Sequence, residues 1–170
     1  MTGETNLANG NREYGLFLEF MKMRFSKIPT TAVSITAAAD AGGGLVTFSA
    51  AGHDFSLGDI ITQSTFVTNT DYNDDFTVVS AVPGVSYTVE VTWGSTEAGS
   101  VVYHSAVQGK LHYVGRALPG TAEDAEGWIM HRHLYDIAGF ASGQNFANGG
   151  AETNQPAFKW ADRATYSYGT

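Results

Sequence analysis

Turn-forming residues recur at short spacings through the middle of this chain, and they constrain the fold more than any other feature. Gly42-Gly43-Gly44, Ser56-Leu57-Gly58-Asp59, Pro83-Gly84 and the stretch GSTEAGS from Gly94 interrupt runs rich in valine, threonine and aromatic residues. Glycine reaches the positive-φ conformations that tight turns need, and proline presets the φ of a turn's first central residue. Gly58, Asp59, Pro83 and Gly84 are therefore read as turn-structural residues. Between the turns lie AVSITAAAD, GLVTFSAA, GHDFSLGDIITQSTF, DYNDDFTVVSAV, VSYTVEVTW and VVYHSAV. About five or six short strands at this spacing over residues 31–107 predict a small β-barrel or sandwich.

Composition points the same way. The chain holds 20 glycines and few of the leucines and lysines that dominate helical proteins, so the expected class is all-β. With 43% hydrophobic and 15% charged residues among 170, the chain can bury a core and should be ordered. The absence of cysteine excludes disulfides, thiolate metal sites and cysteine nucleophiles. Nine basic residues against 17 acidic give a formal charge of −8 without a basic stripe, which argues against a nucleic-acid partner. No apolar run approaches the ~20 residues of a membrane-spanning helix. The N-terminus lacks the basic start and apolar core of a secretory signal. No membrane partner and no cofactor are expected.

Three segments follow from this reading. Residues 1–30 form an N-terminal arm, with YGLFLEFMKMRFSKIP fitting either a short amphipathic helix or a two-sided strand that Pro29 ends. Residues 31–107 form the small β-barrel. Residues 108–170 form a C-terminal β segment, with strands at KLHYVGRAL and WIMHRHLYDI. A long Gly/Asn/Ala-rich connection at 138–157 leads to a last strand at FKWADRATYSY. This third segment has too few elements to stand alone and should pack on the barrel or on a neighbouring subunit.

The chemistry-bearing candidates are few. In WIMHRHLY a strand sends Ile129, His131, His133 and Tyr135 to one face and Trp128, Met130, Arg132 and Leu134 to the other. Histidines at i and i+2 can share a metal, but zinc needs at least three protein ligands, and His53, His104 and His112 are candidates only if the fold gathers them, so a polar strand face is the preferred reading. No nucleophile elbow, His-Glu-x-x-His helix motif or phosphate-binding loop is present. The acidic stretches Glu123-Asp124-Ala-Glu126 and DYNDD at 71–75 read as solvated loop and capped turn rather than as a carboxylate pair or calcium loop. Neither catalytic nor metal-binding residues are expected.

Two stretches resemble structural proteins of tailed bacteriophages. HDFSLGDIIT followed by DYNDDFTVVSAVPGVSYTVEV resembles small β-barrel modules of such proteins, with a His-x-apolar-x-x-Gly-Asp turn and a Tyr-Asn before an FTV strand. LHYVGRALPGT, the Trp128 strand ending in Tyr135-Asp136, and Trp160, Asp162, Arg163 and Tyr166 resemble a segment recurrent in phage virion proteins. The resemblance implies a non-enzymatic component of the virion, assembled in the host cytoplasm, and most simply a capsid decoration or cement protein bridging capsomers. Its partners would be the major capsid protein or other virion proteins, with self-association as a trimer. A tail adaptor, collar or fibre-base protein is the alternative, and a host-surface carbohydrate-binding module stands behind both. The expected interface residues are Phe17, Phe20, Phe25, Trp128, Trp160, Arg163, Tyr166 and Tyr168, since aromatics and arginine anchor protein contacts.

Overall fold

The computed structural model describes residues 22–147, 158–166 and 168. Phe17 and Phe20 lie outside these residues. The chain is nearly all β. Its strands are β1 (Lys22–Lys27), β2 (Val33–Ile35), β3 (Ala37–Gly42), β4 (Leu45–Ser49), β5 (Ile60–Ser64), β6 (Asp75–Val82), β7 (Ser86–Glu90), β8 (Gly99–Tyr103), β9 (Leu111–Ala117), β10 (Trp128–Tyr135) and β11 (Ala141–Phe146). Short 3₁₀ turns of helix cover Thr70–Tyr72 and Trp160–Thr165.

Seven strands form one sheet in the order β2-β8-β5-β6-β7-β4-β3. The two edge strands of this sheet are consecutive in sequence, separated by Thr36 alone, so the sheet nearly closes on itself. The run AVSITAAAD is thus one path broken at Thr36, whose halves pair with β8 on one side and β4 on the other. Across the barrel, β6 turns a similar corner. Residues Asp75–Thr77 pair with β5, Val78–Val82 pair with β7, and the register slips between Val78 and Ser80. A bulge of this kind bends a strand and sharpens its twist, which is how a short sheet closes into a barrel.

Inside, Phe48 packs edge-on against Phe66 and Tyr72, and stacks on Tyr87 with ring centroids 5.7 Å apart. Tyr87 stays satisfied in this apolar setting because buried Gln63 donates to its hydroxyl at 2.8 Å. The Asn73 amide acts as a strand partner, accepting from Phe66 N and donating to Phe66 O.

A second, four-stranded sheet has the order β1-β9-β10-β11. Its first strand settles the open choice for residues 22–27 as strand. Two readings of the C-terminal segment need correction. Residues 141–146, expected within the Gly/Asn/Ala-rich connection, pair with β10 as β11. A turn at Asp136–Phe140 makes this possible, with the Asp136 carboxylate accepting from Phe140 N at 2.9 Å. The pairing edge of β10 outweighs the poor β-propensity of ASGQNF.

The expected terminal strand is instead the 3₁₀ segment Trp160–Thr165, flanked by single bridges from Phe158 to Trp128 and from Tyr168 to Ala147. It folds across the sheet because β9 offers Gly115 there. A Cβ on Gly115 would lie 2.5 Å from Trp160 Cε3 and 3.0 Å from Trp128 Cε3. The resulting core comprises Tyr113, Ala117, Trp128, Met130, Trp160 and Tyr168, among others.

Gly115→Ala should therefore destabilise the chain by about 1–3 kcal/mol, the usual cost of overpacking. Gly143→Ala on β11, whose added Cβ meets only Leu134 at 3.8 Å, should stay within about 0.5 kcal/mol. Urea unfolding of the two variants beside the parent checks the contrast.

Candidate functional site at the junction of the sheets

The turn Ser56–Asp59 closes because Asp59 N donates to Ser56 O and the Asp59 carboxylate accepts from Ser56 N at 2.8 Å. Gly58 takes φ +86° in the turn, the left-handed conformation that disfavours a side chain. Pro83 and Gly84 lie in the turn between β6 and β7. The Ser56–Asp59 turn fixes Asp59 at the wall of the barrel, 7% exposed, facing β10.

From β10 comes Arg132, 0% exposed. Its place follows from strand alternation, which puts it on the face of Trp128 and Met130. Its Nη2 donates to Asp59 Oδ2 and, at 2.9 Å, to the Tyr103 hydroxyl at the end of β8. Its Nε donates to His112 Nε2 at 2.9 Å. His112 reaches this position through a bulge, since β1 pairs Ser26 with Tyr113 and Lys27 with Leu111, leaving His112 unopposed. Both His112 and Tyr113 are consequently buried, with ring centroids 4.1 Å apart. The Tyr103 hydroxyl also lies 3.1 Å from Asp54 Oδ1, which completes a cluster drawn from both sheets.

Protonation states follow from this geometry. A guanidinium only donates, so His112 Nε2 must present its lone pair and the ring proton sits on Nδ1. That nitrogen faces Asp54 Oδ2 at 3.6 Å. Burial, with the Arg132 charge beside it, holds His112 well below the ordinary histidine range. Burial pushes the Asp59 carboxyl up, opposed by Arg132 and by the Ser56 amide. Burial also works against the charge on Arg132, but the Asp59 carboxylate together with the Tyr103 and Tyr113 hydroxyls outweighs it, and Arg132 stays protonated well above its ordinary value.

A cleft of about 380 Å³, lined by Pro29, Thr31, Val33, His53, Asp54 and Tyr103 among others, opens beside this cluster. His53 does not serve it as a base. Its Nδ1 lone pair accepts from Phe55 N at 3.0 Å, and its ring stacks on Phe55. The cluster's hydrogen bonds join parts of the fold to each other, and its evident physical work is holding two sheets in one arrangement.

The residues singled out in the sequence are placed differently from one another. Trp128, Trp160 and Tyr168 are buried in the chain's own second core, which corrects the picture of an extended aromatic end. Arg163 lies over the Trp160 ring at 5.0 Å, and the Tyr166 hydroxyl accepts from Lys159 N at 3.0 Å. Phe25 on β1 is 59% exposed. His131 and His133 sit with ring centroids 5.2 Å apart, and no group of three or more metal-ligating side chains converges among the described residues. Glu123 of the acidic loop pairs with Arg24 at 2.6 Å and, through its carbonyl, accepts from Ala161 N. Sequence reading did not single out Arg132, Asp54, Tyr103 or His112 as a unit. The available signal was an arginine in alternation with Trp128 and Met130, on the face that a tryptophan marks as inward.

No protein-family model matches the chain, and no curated protein matches it.

Arg132→Met should cost about 3–5 kcal/mol, because it strands the Asp59 carboxylate in a dry site. The double change Arg132→Met with Asp59→Leu should recover much of that loss in chemical unfolding. Stability should also depend on pH through His112. Its folded pKa is depressed, so its contribution is fully present above the unfolded value near 6.5 and declines as pH falls below it. The slope should be about 1.4 kcal/mol per pH unit. His112→Gln keeps an acceptor for Arg132 Nε without a titrating proton, and should flatten the stability profile between pH 6.5 and 5.

Proposed function

We propose that this chain is a non-enzymatic structural component of a tailed-phage particle, most simply a decoration protein bound to the capsid shell. The observation that carries the reading is the meeting of the two phage-like stretches. The turn at the end of HDFSLGD supplies Asp59, the strand WIMHRHLY supplies Arg132, and the two pair in the buried junction. The resemblance therefore spans one physical unit rather than two separate turn motifs.

The distribution of apolar residues supports a role in assembly. With Trp128, Trp160 and Tyr168 consumed internally, the exposed apolar side chains among the described residues include Met23 and Phe25 on β1, Val82 and Val85 flanking the Pro83-Gly84 turn, Val67, and Phe140 beside β11. Burying such residues against a capsid subunit excludes water from scattered anchors, the ordinary basis of a stable interface. The major capsid protein is the proposed partner. Symmetric sites on a shell favour self-association, with a trimer at a three-fold axis as the simplest closed form.

Quantitative mass spectrometry of purified particles tests the reading. A copy number comparable to that of the major capsid protein supports decoration. A count of about six or twelve moves the chain to the tail, and absence from particles overturns the structural role. Phe25→Ser with Val85→Ser should leave the melting temperature within a few degrees of the parent but lower occupancy on the particle.

A further inference from the structure

At one end of the barrel, the loop 68–72 faces the segment 92–94 across a cleft of about 160 Å³. The two walls are fastened to each other. Asn69 Nδ2 donates to Ser95 Oγ at 2.7 Å, and Gly94 N donates to the Tyr72 hydroxyl at 3.0 Å. Glu97 accepts from the amides of Val67, Thr68 and Asn69 at 2.7, 2.8 and 2.9 Å, which ties the first wall down from behind. The approach is close enough that a Cβ on Gly94 would lie 2.1 Å from Asn69 Oδ1. The cleft is thus built in advance of any ligand, which spares the ordering cost of binding.

Its lining combines two aromatic residues, Trp93 and the buried Tyr72, with groups that make and accept hydrogen bonds. Trp93 is half-buried, packed on the barrel core from one side. Its indole N–H, the hydroxyls of Thr68, Thr70 and Thr92, and the Asp71 carboxylate make no hydrogen bond among the described residues. An indole face takes the C–H face of a sugar, while hydroxyl, carboxylate and N–H groups around it match a sugar's ring of hydroxyls. The volume has room for a single ring rather than a chain of rings. Asp71 and the net charge of −8 disfavour acidic sugars.

We infer that the cleft between residues 68–72 and 92–94 binds one neutral pyranose ring, with Trp93 as the stacking platform and Asp71, Thr70 and Thr92 as hydrogen-bonding partners. This does not depend on where the protein works, and it adds a ligand class to a chain otherwise read as structural.

The test uses the full chain and the methyl glycosides of glucose, galactose, N-acetylglucosamine and rhamnose. The chain has three tryptophans, and Trp128 and Trp160 are buried, so a ligand-dependent change in emission reports on Trp93. The expected result is a saturable change for at least one glycoside with a Kd of about 1–10 mM, the range for a small single-ring site. Asp71→Ala and Thr92→Val, both at exposed positions, should weaken it at least about fivefold while leaving the melting curve unchanged. Trp93→Phe should remove the emission signal, and amide chemical-shift changes confined to residues 67–73 and 91–97 should persist at lower affinity. The inference is overturned if no glycoside gives a saturable change at 100 mM, an upper limit about ten times the expected Kd. It is equally overturned if the shifts map elsewhere, or if tetramethylammonium binds where the glycosides do not, which would make the cleft a cation site.

Discussion

The buried pair between Asp59 and Arg132 is the constraint on which the arrangement of this molecule depends. The barrel and the four-stranded sheet share no strand pairing, so their relative position rests on side chains and connecting turns. Apolar packing at the junction is non-directional and would tolerate a range of placements. A guanidinium that donates at once to a carboxylate, a tyrosine hydroxyl and an imidazole tolerates very few. Such a pair adds little net stability over well-packed apolar residues, but losing either partner leaves a charge without water or counter-charge. Its value is positional. It selects one docking of the sheets from many that would bury similar area.

Much of the barrel is legible in the sequence, because its turns are written in residues with few other uses. The runs beside Gly42-Gly43-Gly44 and Pro83-Gly84 are rich in valine, threonine and aromatic residues, and local turn chemistry suffices to pair β3 with β4 and β6 with β7. Closure was not legible. Nothing in AVSITAAAD marks Thr36 as the residue where one strand leaves one neighbour for another, because that break is imposed by sheets at both ends. The same limit explains β11. Its residues have weak strand preference, and only the waiting edge of β10 makes a strand of them. At the C-terminus the error had a different source. The alternation in KWADRATYSY reads as extended, but the decisive partner, Gly115, lies some forty-five residues earlier, and a glycine's value as a slot for an indole ring has no local signature. The polar cluster was missed for a related reason. Arg132 stood on the correct face in the sequence, but arginine so seldom lies wholly buried that its neighbours, rather than its own identity, had to reveal it.

The aromatic residues show how one composition serves two ends. Tyrosine and tryptophan are favoured both in cores and at interfaces, since each couples a large apolar area with one polar handle. Here the handles decide. Trp128 donates to Ala122 O, Tyr135 to Leu111 O and Tyr168 to Arg163 O, all within the chain. A side chain whose polar end is already engaged inside the fold has been recruited as internal structure. Phe25 carries no such handle and stays exposed on β1, which makes it the more informative surface aromatic although it is the plainer residue.

Charge then limits how such a chain can associate. Arg132 is neutralised within the junction, while Lys22 and Arg24 fasten the segment around Thr121 and Glu123 to the second sheet. Part of the small basic complement is therefore spent on internal contacts, and the acidic surplus faces solvent. The net charge of −8 sets free copies against one another at long range. The edge strand β1 carries Lys22, Arg24 and Lys27, the residue types that discourage another strand from continuing a sheet. The exposed Val82 and Val85 sit beside the Pro83-Gly84 turn rather than along that edge. A partner engaging them would bury a tip in a recess, a contact that ends where it is made. In the proposed role of adding to a finished assembly, this combination favours discrete, saturable attachment over open-ended growth.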